Sequence, residues 1–196
     1  MEVCKKYLLD NNMMTHQHLY FIALIPPIEL RERIKALKEE MKETFKAQHA
    51  LKSPAHITLQ MPFKCSDELE PFMFEVLEEF SSHQTSFKIS LLDFDCFTPR
   101  VIFVKVKNHV SIKSLHNNFI HIFSKNMDIG EKVISWNIHP HMTIATRDLS
   151  FENFNIAWPI FKEKEFEASF LCKSLFLLKH NGKSWDILRE FLFKRV

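Results

Sequence analysis

Two four-residue segments, His56-Ile57-Thr58-Leu59 and His141-Met142-Thr143-Ile144, repeat one pattern: histidine, apolar, threonine, apolar. Each lies in an apolar run that reads as a β-strand, where residues two apart share a face. The spacing sets an imidazole beside a hydroxyl on one face. It sends Ile57, Leu59, Met142 and Ile144 to the opposite face, into a core. Any fold for this chain must supply a packed layer behind both segments.

The surroundings of the two segments also repeat. A strand is expected near 18–25, and Pro26-Pro27 then opens a helix with Leu30, Ile34, Leu37, Met41 and Phe45 at three-to-four spacing. The first histidine strand, about 55–61, is followed by a helix that Ser66 or Asp67 caps, with Leu69, Phe72, Val76, Leu77 and Phe80 inward. Strands near 87–95 and 101–107 flank the turn Thr98-Pro99-Arg100. A helix over 111–124 buries Ile112, Leu115, Phe119 and Ile122, and the second histidine strand covers 140–146. Ser150 caps a segment that Pro159 kinks or restarts, and two strands close the chain near 168–179 and 184–193, joined by an Asn181-Gly182 hairpin signal.

The order helix, histidine strand, helix, two strands thus occurs twice, over closely matched spans. An internal duplication is the simplest reading. Two lobes facing each other about a pseudo-two-fold axis bring both histidine strands to one cleft.

Composition narrows the chemistry. The chain has 196 residues, 46% hydrophobic content and 20 Phe, which suits one large folded domain or two small lobes. Residues 1–16 read as a poorly ordered tail in which Met13 or Met14 is a candidate start, and 17–196 as one bilobal domain. The formal net charge of +2 forces no nucleic-acid or membrane partner through bulk charge, so local groups must hold any anion. Cys4, Cys65, Cys96 and Cys172 form no C-x-x-C pair and read as reduced thiols of a cytoplasmic protein. No apolar stretch reaches membrane-spanning length and no signal-peptide core is present. With only Gly130 and Gly182, neither a Walker A loop nor a dinucleotide fingerprint fits.

Paired histidine and threonine suit chemistry at a phosphodiester. Imidazole, with a pKa of about 6.5, serves as base toward water or as acid toward a leaving oxygen. Threonine hydroxyls donate to non-bridging oxygens, where charge builds. No metal and no covalent intermediate is needed. One such segment alone reads as a structural histidine; two in corresponding places read as a site.

Other candidates carry bland alternatives. Lys64 and Arg147 follow the two segments on loops and either neutralise a phosphate or are solvated charges; Arg100 is a third such candidate. Phe63, Phe97, Trp136 and Trp185 either stack on a base or belong to the core. His139 and His141 suggest a metal pair, but no H-E-x-x-H or Cys/His cluster accompanies them, so no metal is expected. His16 and His18 read as tail and first-strand surface, and His49, His83, His109, His116, His121 and His180 as structural or exposed. The charge-dense stretch 29–46 reads as a solvated helix face.

The segments with their flanks, Ala55-His56-Ile57-Thr58-Leu59-Gln60-Met61-Pro62-Phe63 and His139-Pro140-His141-Met142-Thr143-Ile144-Ala145, resemble the twin signature of the 2H phosphoesterase superfamily, in its 2′-5′ RNA ligase-like (LigT-like) branch. The likeness covers about residues 20–193. It implies an α+β fold, bilobal and duplicated, with antiparallel sheets lining a central cleft and helices outside. It also implies hydrolysis of 2′,3′-cyclic phosphates on RNA ends or nucleotides, with His56 and His141 as acid and base and Thr58 and Thr143 as phosphate clamps. Arg147 stands two residues beyond Ala145, displaced from the basic position that follows the second signature in bacterial cyclic phosphodiesterases. The alternatives are cleavage or ligation of 2′-5′ linkages, and a non-catalytic RNA- or nucleotide-binding module. The expected partner is an RNA end or small nucleotide, with no cofactor, no metal and no membrane, and with both half-sites in one monomer.

Overall fold

Strand alternation and helical periodicity yield eight strands and four α-helices among the described residues of the computed structural model, which are 16–127, 130, 134 and 136–194. The expectations for the tail, apart from His16, lie outside the described residues. The strands are β1 (Gln17–Leu24), β2 (Ile57–Ser66), β3 (Phe87–Phe97), β4 (Val101–Val106), β5 (His141–Ala145), β6 (Glu167–Cys172), β7 (Ser174–His180) and β8 (Trp185–Leu192). The helices are α1 (Ile28–Phe45), α2 (Glu70–Ser82), α3 (Val110–Asn126) and α4 (Phe151–Phe161).

Two antiparallel four-stranded sheets result, in the orders β2-β1-β7-β8 and β5-β4-β3-β6. The fold is the expected α+β arrangement. Both histidine strands are edges: β2 of the first sheet, beside β1, and β5 of the second, beside β4. The two halves of the sequence share their strands. β3 and β4, from the first half, build the second sheet with β5 and β6, while β7 and β8, from the second half, build the first sheet with β1 and β2. One continuous core runs through both sheets and the helices, from Tyr20 and Ile57 to Met142 and Phe161.

The expected strand over 168–179 is instead two strands in different sheets. β6 pairs with β3, the chain crosses at Lys173, and β7 pairs with β1. No glycine or proline marks the switch. Its local signature is a change in burial, from the half-exposed β6 to the mostly buried β7. The Lys173 carbonyl, which falls between the ladders, accepts from the Phe193 N–H at 2.7 Å.

β2 runs five residues beyond Met61, through Pro62 to Ser66. The register against β1 jumps from Ile22↔Gln60 to Tyr20↔Phe63, so Met61 and Pro62 sit in a bulge. A bulged edge strand tolerates a residue with no N–H. Lys64 is therefore on the strand, not on a loop. Neither Ser66 nor Asp67 caps α2, because Asp67–Leu69 first forms a 3-10 turn. On α3, Ile122 is exposed while Ile120 and Phe123 are buried. Ser150 does cap α4, its Oγ accepting from the Asn153 N–H at 3.1 Å. Pro159 does not break that helix; it lies in the last turn and, having no N–H, forgoes the bond to the Asn155 carbonyl two residues before the helix ends. Among the described residues no helix is long and apolar enough to cross a membrane. Cys65 and Cys172 are buried free thiols and Cys96 a half-buried one.

Candidate active site

The alternation predicted for the two segments holds. Ile57, Leu59, Met142 and Ile144 are buried, while His56, Thr58, His141 and Thr143 are half-exposed on the opposite faces. β2 and β5 touch where the sheet edges meet, and a cavity of about 730 Å³ opens in front of them. All four histidine and threonine side chains line it. The fold thus brings His56 and His141, 85 positions apart in sequence, to one cavity.

The two histidines are held alike. His56 Nδ1 donates to the Pro54 carbonyl at 2.8 Å, and His141 Nδ1 donates to the His139 carbonyl at 2.6 Å. In both cases the acceptor lies two residues earlier, at the entry to the strand. Fixing the proton on Nδ1 leaves Nε2 as the nitrogen available for proton transfer. Aromatic rings seat each imidazole: Phe21 lies 4.9 Å from His56, and Phe97 and Phe103 lie 5.1 and 4.8 Å from His141.

Burial is the main influence on both groups. It pushes His56 down to about 4, reinforced by the Lys38 ammonium and by His141 and opposed by the Pro54 hydrogen bond. It also lowers His141, with the His139 hydrogen bond opposing and His139 and His109 reinforcing. Desolvation disfavours the imidazolium. An anion placed in the cavity would favour the imidazolium again.

The cavity wall carries Lys52 and Arg147 and no carboxylate among the described residues. A net charge of +2 over the whole chain thus coexists with a cationic pocket. Arg147, at φ 57°, follows β5 as expected. Asp148 beside it accepts from the backbone N–H groups of Gln48 and His49 at 3.0 and 2.8 Å. This carboxylate ties the loop after β5 to the 3-10 turn His49–Lys52 that precedes β2. Asp148→Ala is expected to cost about 1 kcal/mol, lowering Tm by roughly 2–4 °C. It should raise KM more than it lowers kcat, because it frees the Arg147 loop; thermal melts and steady-state kinetics check both.

Other sequence candidates separate. Lys64 shares a sheet face with Leu19, its partner on β1, but does not line the cavity, and neither does Arg100. Phe63 is core, packed on Tyr20 and Phe123. Trp136 is exposed and does not line the cavity. Phe97 and Trp185 do line it, one from each sheet. His139 lines the cavity beside His141, yet no group of three or more metal-ligating side chains occurs among the described residues.

Four contributors escape a reading of the sequence, among them Lys52, a cation of the cavity wall that leaves no local signal. His49 and His180 line the cavity and are not merely structural or exposed groups. The signal for His180 is its two-residue spacing from Phe176 and Leu178, on the β7 face that looks the same way; His49 leaves none. Lys38 is 3% exposed, in contrast to the solvated face expected for the helix charges. Its signal is position: it falls four residues after Ile34, on the stripe Leu30, Ile34, Met41, Phe45.

Residues 26–184 match the family model of the 2′-5′ RNA ligase superfamily. No curated protein matches the chain. Among solved structures, E. coli LigT complexed with 3′-AMP is similar at 17% identity and a TM-score of 0.66, over 92% of this chain and 100% of that one. The protein TT0787 of Thermus thermophilus is similar at 18% identity and a TM-score of 0.63, over 90% and 98%. LigT complexed with phosphate superposes at 16% identity and a TM-score of 0.60, over 92% and 100%.

Proposed function

The chain belongs to the 2′-5′ RNA ligase superfamily, and on that footing we propose that it is a 2H phosphoesterase that hydrolyses 2′,3′-cyclic phosphates on RNA ends or small nucleotides. The observation that carries this reading is the matched presentation of two imidazoles, each fixed by a carbonyl two residues back, each beside a threonine, in one cavity without a carboxylate among the described residues. One imidazole takes a proton from water as its oxygen attacks phosphorus. The other gives a proton to the departing ribose oxygen, and a phosphomonoester is left. Thr58 and Thr143 donate to the non-bridging oxygens, Arg147 balances their charge, and Phe97 and Trp185 offer faces for a base. That LigT structures hold 3′-AMP and phosphate supports a nucleotide substrate. Lys64 enters this reading only as a rim charge for a longer RNA.

The same groups serve 2′-5′ phosphodiester cleavage or its reversal, which the family name favours as the second reading. The test is incubation with 2′,3′-cyclic mononucleotides, cyclic-phosphate oligonucleotides and 2′-5′ linked dinucleotides, with and without EDTA. Monoester from the cyclic substrates, unaffected by EDTA, is expected. Product from the 2′-5′ dinucleotides alone moves the assignment to the second reading. Tight binding with no product marks a binding module. Loss of turnover in EDTA overturns the metal-independent chemistry. Since one chain contributes both half-sites, activity is expected in the monomer fraction of a sizing column.

The two lowered histidines set the pH dependence. The competent form holds one proton between them, so kcat/KM is largest between the two macroscopic pKa values of the pair. Both lie below the ordinary imidazole value in the free protein. The kcat/KM maximum is therefore expected on the acid side of about pH 6.5, and the kcat maximum at higher pH, because bound phosphate stabilises the imidazolium. A kcat/KM bell centred above about pH 7, beyond the unperturbed imidazole value, contradicts this assignment.

A further inference from the structure

Lys38 occupies a core position of α1, yet its side chain does the work of a loop anchor. Its Nζ donates to three carbonyls of the segment that leads into β2: Ala50 at 2.9 Å, Ser53 at 2.9 Å and Pro54 at 3.3 Å. An ammonium has three protons to give, and these three oxygens use them all. The Pro54 carbonyl is the same oxygen that accepts from His56 Nδ1. A single carbonyl thus joins a buried cation to the imidazole.

Burying an unpaired charge is unfavourable, and among the described residues no carboxylate is bonded to Lys38 to offset it. A hydrophobic residue at this stripe position would pack without that cost. Among the described residues no cation is bonded to the corresponding carbonyl of the second half-site: that oxygen belongs to His139, and the groups acting on the His141 imidazole are His139 and His109. The asymmetry falls on the two imidazoles, to which the proposed chemistry gives different tasks.

We propose that Lys38 is the positioning residue of the first half-site, fixing the Ala50–Pro54 loop and, through the Pro54 carbonyl, the orientation and protonation state of His56. This rests on the proposed histidine chemistry. The charged and titratable groups acting on His56 are Lys38 from α1 and His141 from β5, while His49, Lys52, His139, Arg147 and His180 share its cavity. A cation held behind the ring opposes protonation of His56. Removing it moves the His56 titration to higher pH.

Lys38→Met removes both the donors and the charge; Lys38→Gln keeps an amide donor and removes the charge. In Lys38→Met, kcat is expected to fall about 100-fold with little change in KM, as displacement of a reacting group does. In Lys38→Gln, part of kcat returns, while the His56 titration, followed by NMR of its ring nitrogens, still rises by about 0.5 pH unit or more relative to the parent. The NMR readout needs no substrate, so it tests Lys38 even if the parent protein turns nothing over. If Lys38→Met does not fold, Lys38→Gln carries both measurements. A folded variant whose kcat stays within about twofold and whose His56 titration is unmoved overturns the proposal, as does a loss of stability with no change in either.

Discussion

His56→Ala and His141→Ala should each lower kcat by roughly 10²–10⁴-fold, with KM nearly unchanged. The argument is that each imidazole transfers a proton only in the transition state, so its removal raises the barrier without weakening substrate binding. A loss of about 100-fold corresponds to about 2.7 kcal/mol of barrier. The seats of the two rings predict a useful control. Asparagine offers an N–H near the position of Nδ1, so His56→Asn and His141→Asn can keep the bonds to the Pro54 and His139 carbonyls while deleting Nε2. These variants should be as inactive as the alanines but closer to the parent in thermal stability. An asparagine variant that retains about a tenth or more of the parental kcat would falsify the acid–base role of that position. Both substitutions together should cost much less than the product of the single losses, because a proton relay with one member missing has little left to lose.

Thr58→Val and Thr143→Val should each reduce kcat by about 10²–10³-fold, the scale of one lost donor at a developing oxyanion. Valine keeps the branched shape that suits the edge strands β2 and β5 and removes only the hydroxyl, so folding should be preserved. Affinity for the ground-state substrate should change little, since the hydroxyls matter most when charge moves onto the non-bridging oxygens. Parallel loss of kcat and kcat/KM is the expected signature. A change below about threefold in both variants would make these threonines structural. It would also shift the stabilising role to Arg147 and Lys52, the two cations on the described cavity wall.

The site is legible in the sequence because its signal is local. A two-residue period within each strand decides which side chains share a face, and no long-range information is needed to place His56 with Thr58 or His141 with Thr143. The duplication then implies a shared cleft, and the edges of the two sheets do meet there. The helices are equally readable from apolar spacing, and Ser150 from its capping chemistry. What stays hidden is information carried by partners. The split at Lys173 depends on which ladder each flank of one apolar run joins, and the run looks the same either way. The extension of β2 through Pro62, which decides where Phe63 and Lys64 go, depends on a bulge that only pairing with β1 defines. Lys38 is hidden differently: its position on the stripe is visible, but the charge invites a solvent reading, and only the three carbonyls facing it explain its burial.

The sharing of strands between the halves bears on where such a molecule can be cut. Neither half on its own owns enough strands to finish a sheet: the first contributes β1 and β2 to one and β3 and β4 to the other. A fragment cut after β4 would therefore keep half of each sheet and bare the strand edges that β5, β6 and β7 cover in the whole chain, an invitation to pair with another copy.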